Sequence, residues 1–266
     1  MPEGLEAEIY RQHAERALDR TIVRVAVDPM QPSAVELRSV LPGLRFTAAR
    51  RHGKLVLLDT AGPHGDGPTL GLHFGMTGRL VVDGGAAIDR LEYASGRDDP
   101  VWDRFVVELA PRRRRGAPGI LRVNDPRRWA RFGFDPDEGR LGPDFLTVHR
   151  DELAARLGRR RAALKAILLD QTVVAGFGNL CVDEILWQAS VAPHRPANSL
   201  MDAEVDDLLA AMREHLPAML ARGGSHTGTI SPDVRAALPP CPLDGAPLLR
   251  STVGGRTTIS CAVHQR

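Results

Sequence analysis

The spacing of apolar residues changes character along the chain. Near the start, Leu5 and Ile9 fall four apart and polar residues fill much of the interval up to Leu18, which predicts a short amphipathic helix. From about Thr21 to Phe134 the pattern becomes one of brief runs: TIVRVAV, KLVLLDT, TLGLHF, RLVVD, RFVVELA and GILRVN, rich in Val, Ile, Leu and Thr and separated by Pro and Gly. Such runs predict strands, and this many in succession predict a β-sandwich or barrel. The stretch DPDEGRLGPDF (135–145) has no periodicity and reads as a linker. Beyond it, DELAARLGRRRAALKAILLD and MDAEVDDLLAAMREHLPAMLAR repeat apolar residues at three and four, predicting helices. Between these lies QTVVAGFGNLCVDEILWQASVAPHRPA, with a glycine-bounded turn, an apolar helix and a Pro-rich exit. The tail from Gly223 has little helical pattern, and no internal repeat is present.

Composition narrows the class without naming a function. A chain of 266 residues holds one large domain or two to three smaller ones, and its 43% hydrophobic and 26% charged residues are those of a soluble protein. No apolar run reaches membrane-spanning length and no secretory signal opens the chain, so a cytoplasmic location and no membrane partner are expected. Nothing requires an oligomer, and a monomer is expected. The net charge of +2 says little about partners, but the arginines are clustered in RRHGK, RRRRG, DPRRWAR and GRRRAALK. Clusters of this kind neutralise phosphates. Arg112 to Arg115, bracketed by Pro111 and Gly116, read instead as a solvated loop. Three cysteines cannot make a disulfide framework and are expected to be reduced thiols or metal ligands.

Six short motifs carry candidate chemistry. In the tail, CPLDG places Cys241 and Asp244 three apart, and SCAVHQ places Cys261 and His264 three apart. Sixteen residues lie between the two pairs, enough for a β-hairpin, and such knuckles either build a closed structural Zn²⁺ site or close a metal-free hairpin. AGFGNLCVDE sets two glycines two apart, which serves either a tight helix–helix turn or a close backbone approach, with Asn179 where a helix N-terminus would favour a phosphate oxygen. GLHFGMTGRL and NDPRRWARF put Met76, Arg127 and Trp129 on turns; Met76 and Trp129 are core packing, or the three form a wedge that fills the gap left by an extruded base. Finally, MPEGLE places Pro2 where removal of Met1 would expose a secondary amine beside Glu3, a nucleophile next to an acid, or else simply the start of a helix.

Taken in order, PEG-x-E-x-E, the Gly-Lys turn, LHFGMTGRL, NDPRRWARFGF, LGPDFL, LLDQTVVAGFGNLCVDE and GGRTTISC resemble the formamidopyrimidine-DNA glycosylase and endonuclease VIII family over nearly the whole chain. The resemblance implies an α+β fold: an N-terminal helix with a two-sheet antiparallel β-sandwich (1–134), a linker (135–149), a helix-two-turn-helix domain (150–222), and a C-terminal loop and zinc-finger hairpin (223–266). It implies a bifunctional DNA glycosylase/AP lyase of base excision repair acting on damaged double-stranded DNA. Pro2 is then the Schiff-base nucleophile and Glu3 the general acid/base. Lys54 and Glu6 are implied near the reacting centre. His73, Met76, Arg127, Trp129, Asn179 and Arg256 are implied to contact DNA, and Cys241, Asp244, Cys261 and His264 to hold zinc. A catalytically idle relative that binds damaged DNA is the alternative.

The chain departs from the family in placing Cys181 where a tyrosine is usual, in having only sixteen residues between Gly224 and Cys241, and in its Asp/His knuckle. Its PEG start resembles one branch of the family and Met76 the other, which leaves oxidised pyrimidines and ring-opened purines both open as lesions.

Overall fold

A computed structural model describes residues 2–88, 91, 96–113 and 115–266; Met1, and Arg114 of the arginine loop, lie outside the described residues. The chain forms two compact units, one holding Pro2 and Glu6–Glu138, the other Glu3–Leu5 and Gly139–Arg266.

The first unit is built on α1 (Gly4–Ala14), β1 (Ile22–Val27), α2 (Ala34–Val40), β2 (Arg45–His52), β3 (Leu55–Gly62), β4 (Gly65–Asp66), β5 (Leu70–His73), β6 (Arg79–Val82), β7 (Gly85–Ala86), β8 (Asp103–Leu109), β9 (Gly119–Asn124) and β10 (Arg131–Phe134). One sheet runs β1-β8-β9-β6-β7 and the other β10-β5-β3-β2, with β4 paired to β3. All pairings are antiparallel. Alternate residues of both sheets enter a single core: Val56 and Leu58, Leu70 and Leu72, Leu80 and Val82, Phe105 and Val107, Leu121 and Val123. Two sheets facing one core make a sandwich rather than a closed barrel. The Phe105 and Phe132 rings stack across it, with centroids 5.0 Å apart.

All six strands expected from apolar runs are present. β2 is present as well but was not among those expected, because its sequence RFTAARRH is polar on the face turned to water; Phe46 alone enters the core fully, and pairing with β3 from Arg45↔Ala61 to His52↔Leu55 holds the strand. Helix α2 also lies outside the expected pattern and buries only Ala34 and Leu37 within its length.

The second unit holds α3 (Arg150–Leu157), α4 (Leu164–Leu169), α5 (Asn179–Gln188), α6 (Asp202–Ala221), α7 (Pro232–Ala237), β11 (Leu248–Val253) and β12 (Arg256–Cys261). The segment 151–170, read as one continuous helical stretch, is two helices. The α4 amides of Leu164 and Lys165 donate to the carbonyls of Arg195 and Pro193, so the Pro-rich exit sets where α4 begins. The tail likewise contains the short α7, whose start is marked by Ser231 accepting from the Val234 amide and by Pro232 at the first helical position.

Two cores stabilise this unit. The larger joins Leu5, Phe145, Leu164, Leu168, Phe177, Cys181, Ile185, Leu208 and Leu216 among others, while the smaller consists of Trp187, Ile230, Cys241, Leu248, Ile259 and Cys261. A buried ion group links the hairpin to the helices. The Lys165 ammonium lies 2.7 Å from the Asp183 carboxylate and donates to Thr257 O and Thr258 Oγ1, while Arg235 pairs with Asp183 from the other side. Burial pulls the Lys165 pKa down, and the charge of Asp183 opposes that shift.

Candidate nucleic-acid interface and metal centre

Glu3 shows what the two glycines of AGFGN accommodate. Its side chain is 2% exposed, and its carboxylate accepts hydrogen bonds from the amides of Gly178 (3.1 Å), Leu180 (2.8 Å) and Cys181 (3.0 Å). These donors belong to the first turn of α5, where amides have no intrahelical acceptor and the helix dipole favours an anion. Gly178 is required for the approach: a Cβ there would lie 2.3 Å from Glu3 Cδ. Gly176 has a φ of 120°, and its carbonyl accepts from the Gly4 amide at 2.9 Å. A Cβ at Gly4 or Gly176 would strike Phe145. The segment following Pro2 is therefore docked by main-chain and carboxylate contacts, and Pro2 itself is buried. Cys181, which replaces the usual tyrosine, points its side chain into the core and serves this site through its amide.

In the first unit Glu6 is 3% exposed, in the opening turn of α1, rather than on a helix surface. Burial and then the Glu6 charge push the phenol of Tyr10 well above its ordinary range. Lys54 sits on the turn between β2 and β3 beside Gly53, whose φ is 58°. His73 ends β5 and pairs with Leu55 on one side and Arg131 on the other, so Lys54, His73 and Arg131 gather at one end of this sheet.

His73 is solvent-accessible but recessed among protein atoms. Desolvation, and then the charges of Lys54 and Arg131, hold its pKa below the ordinary imidazole value. The folded protein thus takes up this proton at lower pH than the unfolded chain, and stability declines as pH falls below the ordinary histidine range. Lys54→Ala is expected to raise the His73 pKa only partway toward normal, because desolvation is the larger cause. An NMR titration of the ring reads this directly, and an unchanged pKa would refute the electrostatic contact.

Two loops of the same unit carry Met76, Arg127 and Trp129. Met76 is half-buried, Arg127 is exposed and Trp129 is 53% exposed, with the Arg127 guanidinium 5.8 Å from the indole centroid. Trp129 is thus not core packing. A residue that the sequence reading passed over, Asp125, is 0% exposed and accepts from the amides of Arg127, Trp129 and Ala130 and from the hydroxyl of Thr77. The Asp-Pro turn of NDPRRW was its only sequence signal.

In the second unit Asn179 opens α5, with its Oδ1 buried and lacking a hydrogen-bond partner. Arg256 is exposed at the start of β12, directly after Gly254 and Gly255, both of positive φ. Gly254 packs so closely on α4 that a Cβ would lie 2.9 Å from Ala166.

The four knuckle residues converge, their ligand atoms all lying within 4.8 Å of one another. Cys241 Sγ is 3.4 Å from His264 Nδ1, and Asp244 Oδ2 is 3.2 Å from both that nitrogen and Cys261 Sγ. Tetrahedral coordination with Zn–N, Zn–O and Zn–S bonds spaces neighbouring donors by roughly 3.3–3.8 Å, so the set fits one ion. His264 Nε2 faces the Trp187 carbonyl at 3.2 Å, which places the proton on Nε2 and leaves the Nδ1 lone pair toward the cluster. The Ala246 amide, with smaller contributions from Cys261 and His264, holds the Asp244 carboxyl down at about 2. It is therefore ionised and able to ligate across the working pH range. The cluster can hold a metal ion.

An antiparallel sandwich and a glycine-rich helix-two-turn-helix segment that receives the N-terminal glutamate, followed by a metal-suited hairpin, define a recognisable class. Residues 1–132 match the formamidopyrimidine-DNA glycosylase N-terminal domain, and residues 141–231 match the formamidopyrimidine-DNA glycosylase H2TH domain. The chain belongs to the formamidopyrimidine-DNA glycosylase family. A formamidopyrimidine-DNA glycosylase of Desulfitobacterium hafniense is 30% identical across 100% of both chains, and one of Cereibacter sphaeroides is 35% identical over 85% of this chain and 80% of the relative. In fold, the chain matches Lactococcus lactis Fpg (MutM), solved with DNA containing N7-benzyl-Fapy-dG, with a TM-score of 0.79 and 23% identity over 100% of both chains. Among the described residues no helix is long and apolar enough to cross a membrane.

Proposed function

We propose that this protein is a bifunctional DNA glycosylase/AP lyase of base excision repair, acting on an oxidised or ring-opened base in damaged double-stranded DNA. The observation that carries the reading is the Glu3 carboxylate, held by three amides immediately after Pro2. With Met1 removed, the Pro2 amine attacks C1′ of the damaged nucleotide. Its lone pair forms the new C–N bond, and the bond to the base breaks with its electron pair leaving on the base. The Pro2 nitrogen gives up its N–H proton as the C1′–O4′ bond breaks, and the Glu3 carboxylate takes up that proton and delivers it to the ring oxygen as the sugar opens to the iminium. The iminium acidifies the neighbouring C2′–H, so β-elimination and then δ-elimination release the sugar and leave phosphate at both ends of the gap. An α-amino group suits this task because its pKa is about 7.7–8.0, which leaves a useful unprotonated fraction at neutral pH.

The remaining roles are those that the family resemblance implies, position by position. Lys54 and His73 approach phosphate near the lesion, with Glu6 a nearby carboxylate. Met76, Arg127 and Trp129 fill the stack vacated by the flipped nucleotide, Arg127 facing the orphaned base. Asn179 and Arg256 grip the phosphates flanking it. We assign the metal as Zn²⁺, on the chemistry of two thiolates, one imidazole and one carboxylate. Its role is to hold the hairpin that presents Arg256. The sandwich acts as the catalytic domain, 150–222 as the DNA-binding domain and 223–266 as the zinc-bearing tail, and the enzyme works as a cytoplasmic, nucleoid-associated monomer.

Borohydride trapping of the processed protein on a duplex with one abasic site tests the reading. A covalent adduct mapping to Pro2 is the expected result. Neither adduct nor strand cleavage from protein with Pro2 exposed would overturn the enzyme in favour of a damage-binding relative.

A further inference from the structure

The carboxylate of Asp125 is saturated by donors from two separate loops. Oδ1 accepts from the Thr77 hydroxyl and the Arg127 amide (3.1 Å), and Oδ2 from the amides of Trp129 (2.7 Å) and Ala130 (2.7 Å). A carboxylate offers about four lone-pair sites, so none is left for water or for any other group. Thr77 belongs to the loop of Met76, whereas the three amides belong to the loop of Arg127 and Trp129.

The two loops also touch directly. Gly75 takes a φ of 59°, and a Cβ there would lie 2.7 Å from the Trp129 carbonyl carbon and oxygen. Behind the second loop, Arg104 Nε donates to the Asp125 carbonyl at 2.8 Å and pairs with Asp28, which also draws in Arg128, a residue of φ 58°. The result is a fully buried fastening beneath three side chains that remain exposed or half-exposed.

We propose that Asp125 is a positioning residue that couples the Met76 loop to the Arg127–Trp129 loop, making one rigid wedge from two turns. Its carboxylate touches neither substrate nor the reacting atoms; it fixes the mutual placement of the side chains that replace an extruded base. This rests on the glycosylase reading, and it separates two steps of that activity. Everting a stacked, paired nucleotide needs the wedge, because unstacking has to be offset as it occurs. Elimination at an abasic site in a single strand has no pair to break and no stack to replace.

Asp125→Asn is the informative change because it is isosteric. The amide retains one oxygen and turns its NH₂ toward two of the four donors, so donor faces donor and the loops part. In Asp125→Asn we expect at least a tenfold loss in single-turnover excision of a base-paired lesion, and less than a twofold loss in β-elimination on a single-stranded abasic oligonucleotide. Hydrogen exchange at Gly75–Gly78 and at Arg127–Ala130 should accelerate together. Equal loss in both reactions, no loss in either, or faster exchange in one loop alone would overturn the coupling.

Should Asp125→Asn fail to fold, Thr77→Val removes only the link from the Met76 loop. It should give the same split at roughly threefold, and its absence would refute the proposal. If the unaltered protein shows neither activity, the glycosylase reading fails. The coupling itself is then decided by hydrogen exchange alone.

Discussion

Glu3→Gln is expected to lower base excision by about 10²–10⁴-fold, the range associated with removing a general acid/base. The substitution keeps the shape of the side chain but not its pattern of acceptors. Glu3 Oε2 accepts from Gly178 and Cys181 while Oε1 accepts from Leu180. A glutamine offers one oxygen, so its NH₂ must confront at least one α5 amide, and each lost charged hydrogen bond costs about 1.5–3 kcal/mol. The anchoring is weakened and the proton donor is lost together.

Gly178→Ala should reproduce much of the defect from the opposite side, since its Cβ would occupy the space 2.3 Å from Glu3 Cδ. Single-turnover excision kinetics, with thermal unfolding as the control for folding, would measure both variants. A Glu3→Gln protein within threefold of the original rate would show that this carboxylate handles no proton in the reaction.

Stripping the metal is expected to have the second large effect, confined to the hairpin. The small core beneath β11 and β12 consists of Trp187, Ile230, Cys241, Leu248, Ile259 and Cys261, so two of its six members are themselves candidate ligands. Such a core cannot hold a two-stranded sheet alone. Structural zinc in finger peptides supplies apparent binding energies of about 10–16 kcal/mol, all of it available to folding.

Chelation, or Cys261→Ala, should therefore loosen the strand that carries Arg256 and weaken binding to abasic duplex by at least tenfold. The Trp187 ring meets the His264 ring edge-on, with centroids 5.2 Å apart, so indole fluorescence should change as the ion leaves and recover on adding Zn²⁺. The sandwich should keep its own unfolding transition, since its core shares no residue with the hairpin cluster. Full duplex binding by metal-free protein would remove the zinc assignment's structural role.

Both expectations depend on residues whose types could be read in sequence but whose partners could not. The two glycines of AGFGN advertised a close approach, yet the group approaching, Glu3, lies 175 positions from Gly178. Spacing rules cannot reach across that separation. Cys241, Asp244, Cys261 and His264 were easier, because each pair lies within one turn and the connecting hairpin brings the pairs together. Asp125 was harder for a different reason: its Asp-Pro turn marks the residue but not its partners, because its four donors are three main-chain amides and a hydroxyl, none of which has a sequence signature.

Local pattern by itself determined which runs become strands, where the chemistry-bearing motifs lie and which four side chains can bind a metal. Hydrophobic periodicity and short-range spacing are properties of neighbouring residues, and neighbouring residues are adjacent in any fold. Tertiary structure alone decided that polar β2 is a strand, that the stretch after the linker breaks into α3 and α4, and that Glu3 ends on the amides of α5. Those outcomes are set by hydrogen-bond partners from distant segments, such as the Arg195 and Pro193 carbonyls that receive the first amides of α4. Buried polar groups must find partners wherever the folded chain supplies them, and their own neighbours do not record which partner that will be.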